Sequence, residues 1–119
     1  GMLATENWDA LEWTPVRRGV ERKVILTNAT TLQLMRFQPG HDINPHAHDY
    51  EQVAYILSGT LDYLVANGKG DMVAHRMVAG STLAIPAGAR HYAHNVGSEP
   101  VLNLDIYPVR RPELLPRTK

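Results

Sequence analysis

Three histidines and one glutamine lie in two short stretches of the chain, where they could hold one metal ion: His46, His48 and Gln52 in residues 40–59, and His91 in residues 80–95. Successive side chains of an extended strand point to opposite faces. The three even-numbered residues therefore share a face if their strand has no bulge. A second strand beside it could bring the remaining histidine to the same point. Three nitrogens and one oxygen suit a borderline divalent metal better than a hard, oxygen-seeking ion.

The fourth ligand has two candidates. Gln52 can bind a metal through its amide oxygen, although a neutral amide is a weaker ligand than a carboxylate. Glu51 is the competing ligand, one residue away. Strand parity favours Gln52, whereas a bulge at Tyr50 would exchange the two side chains.

With these two stretches the chain resembles a cupin. The first reads Gly-x5-His-x-His-x3-Gln-x6-Gly and the second reads Gly-x5-Pro-x-Gly-x2-His-x3-Asn. The resemblance extends from about Val24 to Tyr107. It implies an all-β fold, the cupin double-stranded β-helix, which is a jelly-roll-like antiparallel barrel. It also implies that one divalent transition metal, such as nickel, zinc, iron or manganese, is bound by His46, His48, Gln52 and His91.

The hydrophobic pattern agrees with such a barrel, because its period is close to two along most of the chain. Eight segments are predicted as strands, and Gly, Pro and Asn turn signals separate them: residues 20–26, 31–37, 52–57, 60–66, 72–78, 82–85, 91–96 and 101–107. Many short strands at this spacing indicate a sandwich or a barrel. Closure is expected because it removes exposed strand edges.

Length and composition limit the other possibilities. A chain of 119 residues has room for a single domain with one core. Lys plus Arg and Asp plus Glu both number 12, so no overall field favours nucleic acid or an anionic membrane. There is no cysteine, which suits a reducing cytosol. The apolar runs are too short to cross a bilayer and the start lacks a basic and apolar leader, so we expect a cytoplasmic protein.

We expect the single domain to comprise an N-terminal arm at 1–19, a barrel at 20–107 and a tail at 108–119. Trp8 and Trp13 of the arm are predicted to pack against the barrel or a second subunit, and cupins of this type usually pair, so a homodimer is expected. The proline-rich tail is predicted to wrap the surface with Leu114 and Leu115 as anchors.

The end of the last strand, Asp105-Ile-Tyr-Pro-Val-Arg-Arg111, resembles the Asp-x-Phe-Ser-Pro-Pro-Arg ending of the cupins of pectin and alginate breakdown. Those cupins convert unsaturated uronates into linear keto sugars, and they share the His-x-His-x-x-Glu-Gln run. The resemblance implies that Asp105, Tyr107 and Arg111 are catalytic residues that handle the substrate. The chain departs from the pattern with tyrosine at 107 and Pro-Val-Arg at 108–110. A structural alternative is that Asp105 and Arg111 pair with each other at the barrel mouth.

Three function classes follow. The first is a metal-dependent isomerase or lyase of carbohydrate metabolism, in which a Lewis acid acts on a small carboxylated or sugar-acid substrate. The second is an iron-dependent dioxygenase, and the third is a binding or sensing module without turnover. A fold alone does not choose between them. We expect an anionic small molecule, with candidate contacts from Arg111, Arg90, Tyr50, Tyr55 and Tyr107.

Overall fold

The structure is a computed structural model that describes residues 5–117. Nine β-strands are found in this range: β1 Thr14–Arg17, β2 Val20–Leu26, β3 Thr31–Phe37, β4 Gln52–Ser58, β5 Leu61–Ala66, β6 Met72–Met77, β7 Thr82–Ile85, β8 His91–His94 and β9 Val101–Tyr107. Two short 3-10 helices, Trp8–Ala10 and Pro112–Leu114, lie outside the strands. Among the described residues, no helix is long and apolar enough to span a membrane.

The strands form two antiparallel sheets. The larger has the order β1-β2-β3-β9-β4-β7, and the smaller has the order β6-β5-β8. β9 lies inside the larger sheet, where it pairs with both β3 and β4. The predicted all-β fold of antiparallel sheets is therefore confirmed.

The interior has an apolar part and a polar part, because the inward-facing positions alternate along each strand. Along β9 the buried residues are Val101, Asn103, Asp105 and Tyr107, so the inward face changes from apolar to polar along one strand. The apolar part packs residues such as Ile56 around Val101, both 0% exposed. The polar part is where the sequence-predicted site residues meet.

The eight predicted strands are present, with ends that differ by one or two residues. The arm contains one further strand, since β1 pairs with β2 and extends the larger sheet. One expectation about the chain between the strands is wrong. The stretch from His46 to Gln52 is not one extended strand, because β4 begins only at Gln52. His46 instead makes an isolated bridge to His91, at the start of β8.

The arm and the tail both contact the larger sheet. The Trp13 ring lies 4.3 Å from the guanidinium carbon of Arg36 and 4.8 Å from Nζ of Lys23, measured to the ring centroid. In the tail, Leu114 is buried as predicted, whereas Leu115 is 40% exposed and the prediction that it anchors the tail is wrong. The outer ends of the predicted arm and tail, residues 1–4 and 118–119, lie outside the described residues.

Candidate metal centre and its cavity

His46, His48 and His91 form a cluster in which the candidate ligand atoms all lie within 4.8 Å of one another. His46 and His48 come from the loop before β4, and His91 comes from β8. The loop is held against β8 by two backbone hydrogen bonds, from His46 N to His91 O at 3.0 Å and from His91 N to His46 O at 2.8 Å. This short backbone bridge places His91 beside His46, where a neighbouring strand was expected to place it.

Backbone carbonyls fix the orientation of two of these imidazoles. His46 Nδ1 lies 2.6 Å from the carbonyl oxygen of Asn44, and His91 Nδ1 lies 2.9 Å from that of Ala89. A neutral imidazole that donates Nδ1–H to a carbonyl has its lone pair on Nε2. Metal-binding histidines commonly have this arrangement.

Three acceptor atoms at this site are buried and have no hydrogen-bond partner: Nε2 of His48, Nε2 of His91 and Oε1 of Gln52. Buried polar atoms are nearly always paired, so three together call for an explanation. A divalent metal ion would satisfy all three, since imidazole nitrogen and amide oxygen are both ligand atoms for such ions. The residues present therefore fit a metal.

Two of these histidines, His48 and His91, are held in the neutral form that metal binding requires. The pKa of His48 is lowered to about 4, mainly by burial, and the neighbouring His46, His91 and Arg111 act in the same direction. Burial likewise lowers the pKa of His91. Neutral imidazoles keep the lone pairs that a metal would use.

Of the two candidates for the fourth ligand, the geometry favours Gln52. The Gln52 side chain is buried and lines the same cavity as the histidines, whereas Glu51 is exposed. Gln52 Nε2 donates a hydrogen bond to Asp105 Oδ1 at 2.8 Å, which leaves its oxygen as the free atom.

Asp105 lies at the centre of a buried hydrogen-bond network. Its carboxylate accepts hydrogen bonds from four side chains: Gln33 at 3.0 Å, Gln52 at 2.8 Å, Tyr63 at 3.2 Å and Asn103 at 2.8 Å. Burial raises the pKa of Asp105, and these donors oppose that rise. The alternative in which Asp105 pairs with Arg111 is wrong, because Arg111 Nε instead contacts Glu113 Oε2 at 3.1 Å.

The histidine cluster opens on a cavity of about 380 Å³. Asp105, Tyr107 and Arg111, the three residues implied by the resemblance, all line it. The guanidinium of Arg111 lies 4.7 Å from the centroid of the Tyr107 ring and 5.9 Å from that of Tyr50. The Tyr50 ring in turn stacks on His48, with 4.9 Å between centroids.

Other residues of the site differ from the sequence-based expectation. Arg90 and Tyr55 do not line the cavity, whereas Arg17, Arg22 and Gln33 do, and these three were missed. The sequence carries one signal for Gln33, which occupies an inward position of β3 where an apolar residue would be expected. The arginines could be placed only by knowing how β1, β2 and β3 pair.

Comparisons with known proteins identify the fold. The family described as "Cupin domain" matches residues 33–107. KdgF from a Halomonas species is 23% identical, with a TM-score of 0.77 over 92% of this chain and 97% of that one. An RmlC-like cupin from Shewanella frigidimarina is 19% identical, with a TM-score of 0.81 over 96% of this chain and 97% of that one.

A formate complex of oxalate decarboxylase from Lactobacillus farciminis is 22% identical, with a TM-score of 0.74 over 85% of this chain and 32% of that one. All three identities are below 25%, so these likenesses show a shared fold. None of the curated proteins compared with the chain matches it in sequence.

Proposed function

Because the chain belongs to the cupin family, whose domain matches more than half of it, we propose that it is a metal-dependent enzyme acting on a small sugar acid. In this proposal the isomerase- or lyase-type reaction uses one divalent transition metal, held by His46, His48, Gln52 and His91. Asp105, Tyr107 and Arg111 are the proposed catalytic residues.

One observation carries the proposal: unpartnered metal-ligand atoms and arginine side chains line the same cavity. A bound metal would supply one fixed positive point, and the guanidinium of Arg111 supplies another. A ligand with an oxygen donor at one end and a carboxylate at the other could contact both. Sugar acids have this pattern of groups.

The proposed chemistry divides between the metal and the protein. A divalent metal, when bound, would act as a Lewis acid that polarises a substrate oxygen. Arg111 holds the substrate carboxylate, because a guanidinium binds a carboxylate through two parallel hydrogen bonds. Asp105 is the proposed proton carrier, since burial raises its pKa toward the range useful for acid and base catalysis. Tyr107, whose hydroxyl is 3.2 Å from Gln33 Nε2, extends that network toward the cavity.

The metal part is tested by removing the metal with a chelator, reloading nickel, zinc, manganese or iron, and measuring the bound metal by mass spectrometry. We expect about one metal ion per chain in the native protein and none in His48→Ala. His75→Ala is the matched control, because His75 is exposed on β6. Equal metal content in all three proteins would contradict the proposed centre.

The reaction is tested on unsaturated uronates, by following the loss of ultraviolet absorbance from their conjugated double bond. Turnover with a redox-inert metal supports the proposal. Oxygen consumption with iron would instead indicate a dioxygenase. Binding without turnover under every metal would indicate a sensing module.

Homodimer formation and a cytoplasmic location stay predictions. The homodimer is proposed to form through the arm, where Trp8 and Trp13 are both partly exposed. Sedimentation at micromolar concentration should give twice the monomer mass of 13.3 kDa. A monomer would contradict it.

A further inference from the structure

We propose that Arg22 is a substrate-specificity residue, which together with Arg111 binds the carboxylate of the substrate. The inference rests on the proposed sugar-acid function and adds to it the group that selects an acid over a neutral sugar. Arg22 lies in β2 opposite Met35 of β3, and both residues line the cavity.

Arg22 lacks the partners that a half-buried arginine normally has. Its Nε is buried without a hydrogen-bond partner, and no carboxylate lies within 4.0 Å of it in the range 5–117. Its one side-chain contact, from Nη1 to Gln33 Oε1, is 3.4 Å long and therefore weak. A buried N–H donor without a partner is costly, so a site of this kind is expected where a ligand supplies an acceptor.

Arg36, on the neighbouring strand β3, provides a contrast within the same sheet. Its guanidinium pairs with the carboxylate of Glu21 and lies over the Trp13 ring, so the protein itself supplies the partners of this charge. Arg22 and Arg36 belong to adjacent strands, yet only Arg22 lines the cavity. Of these two arginines, the one that lines the cavity is therefore the one without a carboxylate partner.

The cavity wall around Arg22 is positively charged. Arg22 and Arg111 both line the cavity, and the pKa of Arg22 is lowered by burial and by the like charge of Arg111, while Tyr107 and Glu113 oppose this. Glu113, which contacts Arg111, has a side chain that is 61% exposed and therefore neutralises this wall weakly. Asp105 is the acid of the cavity lining, and its oxygens already accept four hydrogen bonds from neutral groups.

These features fit a carboxylate bound between two planar guanidiniums. Arginine offers paired N–H donors that match the two oxygens of a carboxylate, and lysine does not. A neutral ester of the same sugar would keep the shape and lose the charge. The affinity ratio of acid to ester therefore measures the contribution of this wall.

The experiment is a calorimetric titration of metal-loaded protein with galacturonate and with its neutral methyl ester. Native protein is compared with Arg22→Gln, Arg22→Lys and Arg111→Gln. Arg110→Gln is the control. Arg110 is exposed and does not line the cavity, so this substitution removes one guanidinium without changing the cavity wall. Metal content and melting temperature are measured for each protein.

We expect Arg22→Gln to lower the acid-to-ester affinity ratio at least tenfold with metal content unchanged. Arg22→Lys should recover part of the ratio, and Arg110→Gln should match the native protein. A native ratio in Arg22→Gln, together with a loss in Arg111→Gln, would overturn the role of Arg22 and leave the proposed function standing. An equal loss of acid and ester binding in Arg22→Gln would also overturn it, since a structural role predicts that result. A native protein that does not prefer the acid would overturn both the sugar-acid function and this inference.

Discussion

The side-chain amide of Gln52 donates from Nε2 to Oδ1 of Asp105 at 2.8 Å, and its oxygen Oε1 is consequently left buried and unpartnered. The carboxylate thereby sets which end of the amide is available to a metal. This hydrogen bond requires a donor at position 52, which the amide of glutamine supplies. A glutamate at 52 would have no hydrogen to donate to Asp105.

Gln52→Glu should therefore destabilise the metal-free protein. The substitution places a second carboxylate within hydrogen-bonding distance of a buried one and removes a hydrogen bond to it, and a buried polar group left without its partner costs about 1–3 kcal/mol, more when it is charged. Part of this loss should be recovered on metal loading, because a carboxylate is the stronger ligand. Chemical unfolding with and without a chelator measures both effects.

The control for this substitution is Gln38→Glu, which makes the same chemical change at a partly exposed position. It should alter stability by less than about 0.5 kcal/mol. Equal stability of the two variants without metal would contradict the proposed coupling of Gln52 to Asp105.

Asp105→Asn should separate catalysis from metal binding. An asparagine oxygen can still accept the hydrogen bond from Gln52, so metal content should stay close to that of the native protein. The variant can no longer carry a proton, and we expect turnover of unsaturated uronates to fall by roughly 10² to 10⁴. Metal analysis and absorbance kinetics on the same preparation check the two outcomes.

Asp71→Asn, at an exposed position, is the matched control and should keep full activity. Full activity in Asp105→Asn would remove Asp105 from the proposed mechanism and leave it a purely structural residue.

The sequence predicted the parts of the site that depend on local spacing. The histidine spacing and the ending from Asp105 to Arg111 are properties of single segments, and the structure brings these residues to one cavity. Arg22 could not be found in this way, because its place on the wall depends on the pairing of β2 with β3. Register between strands is a tertiary property that one sequence does not give.

The pattern predicted that His91 would meet His46 but not how the backbone brings them together. Strand parity assumed an extended segment from residue 46 to residue 52, whereas backbone hydrogen bonds between the loop and β8 bring these histidines together. The strand β1 was missed for a different reason. Pro15 lies within it, and proline is disfavoured in strands except at the edge of a sheet, where β1 lies.

His41 should make stability depend on pH. Burial lowers its pKa from the ordinary value of 6.5, and the charges of Arg17 and His94 add to this effect, while its contact with the Asp42 carbonyl opposes it. The unfolded chain therefore takes up a proton more readily than the folded protein. Stability is fully present above about pH 6.5 and falls as the pH drops toward the lower native pKa.

His41→Gln should flatten this dependence, since glutamine can accept the hydrogen bond that Asn95 N now donates to His41 Nε2 and cannot titrate. Urea unfolding of both proteins at pH 7.5, 6.5 and 5.5, with a chelator present, measures the difference. Other histidines contribute equally to both proteins. Parallel pH curves would rule out His41 as a source of the effect.

Gly59 should be a turn glycine that cannot accept a side chain without strain. Its φ is +87°, and a Cβ there would lie 2.8 Å from the Pro100 carbonyl oxygen and 2.9 Å from Cγ2 of Val101. Left-handed backbone costs an alanine about 1–2 kcal/mol, and forced overpacking costs about 1–3 kcal/mol more. Gly59→Ala should therefore lose at least about 2 kcal/mol of unfolding free energy. At Gly80 φ is +90° and a Cβ would meet open space, so Gly80→Ala should lose only the free energy that the left-handed backbone costs. Urea unfolding compares the two, and equal losses would show that the contact with β9 contributes nothing.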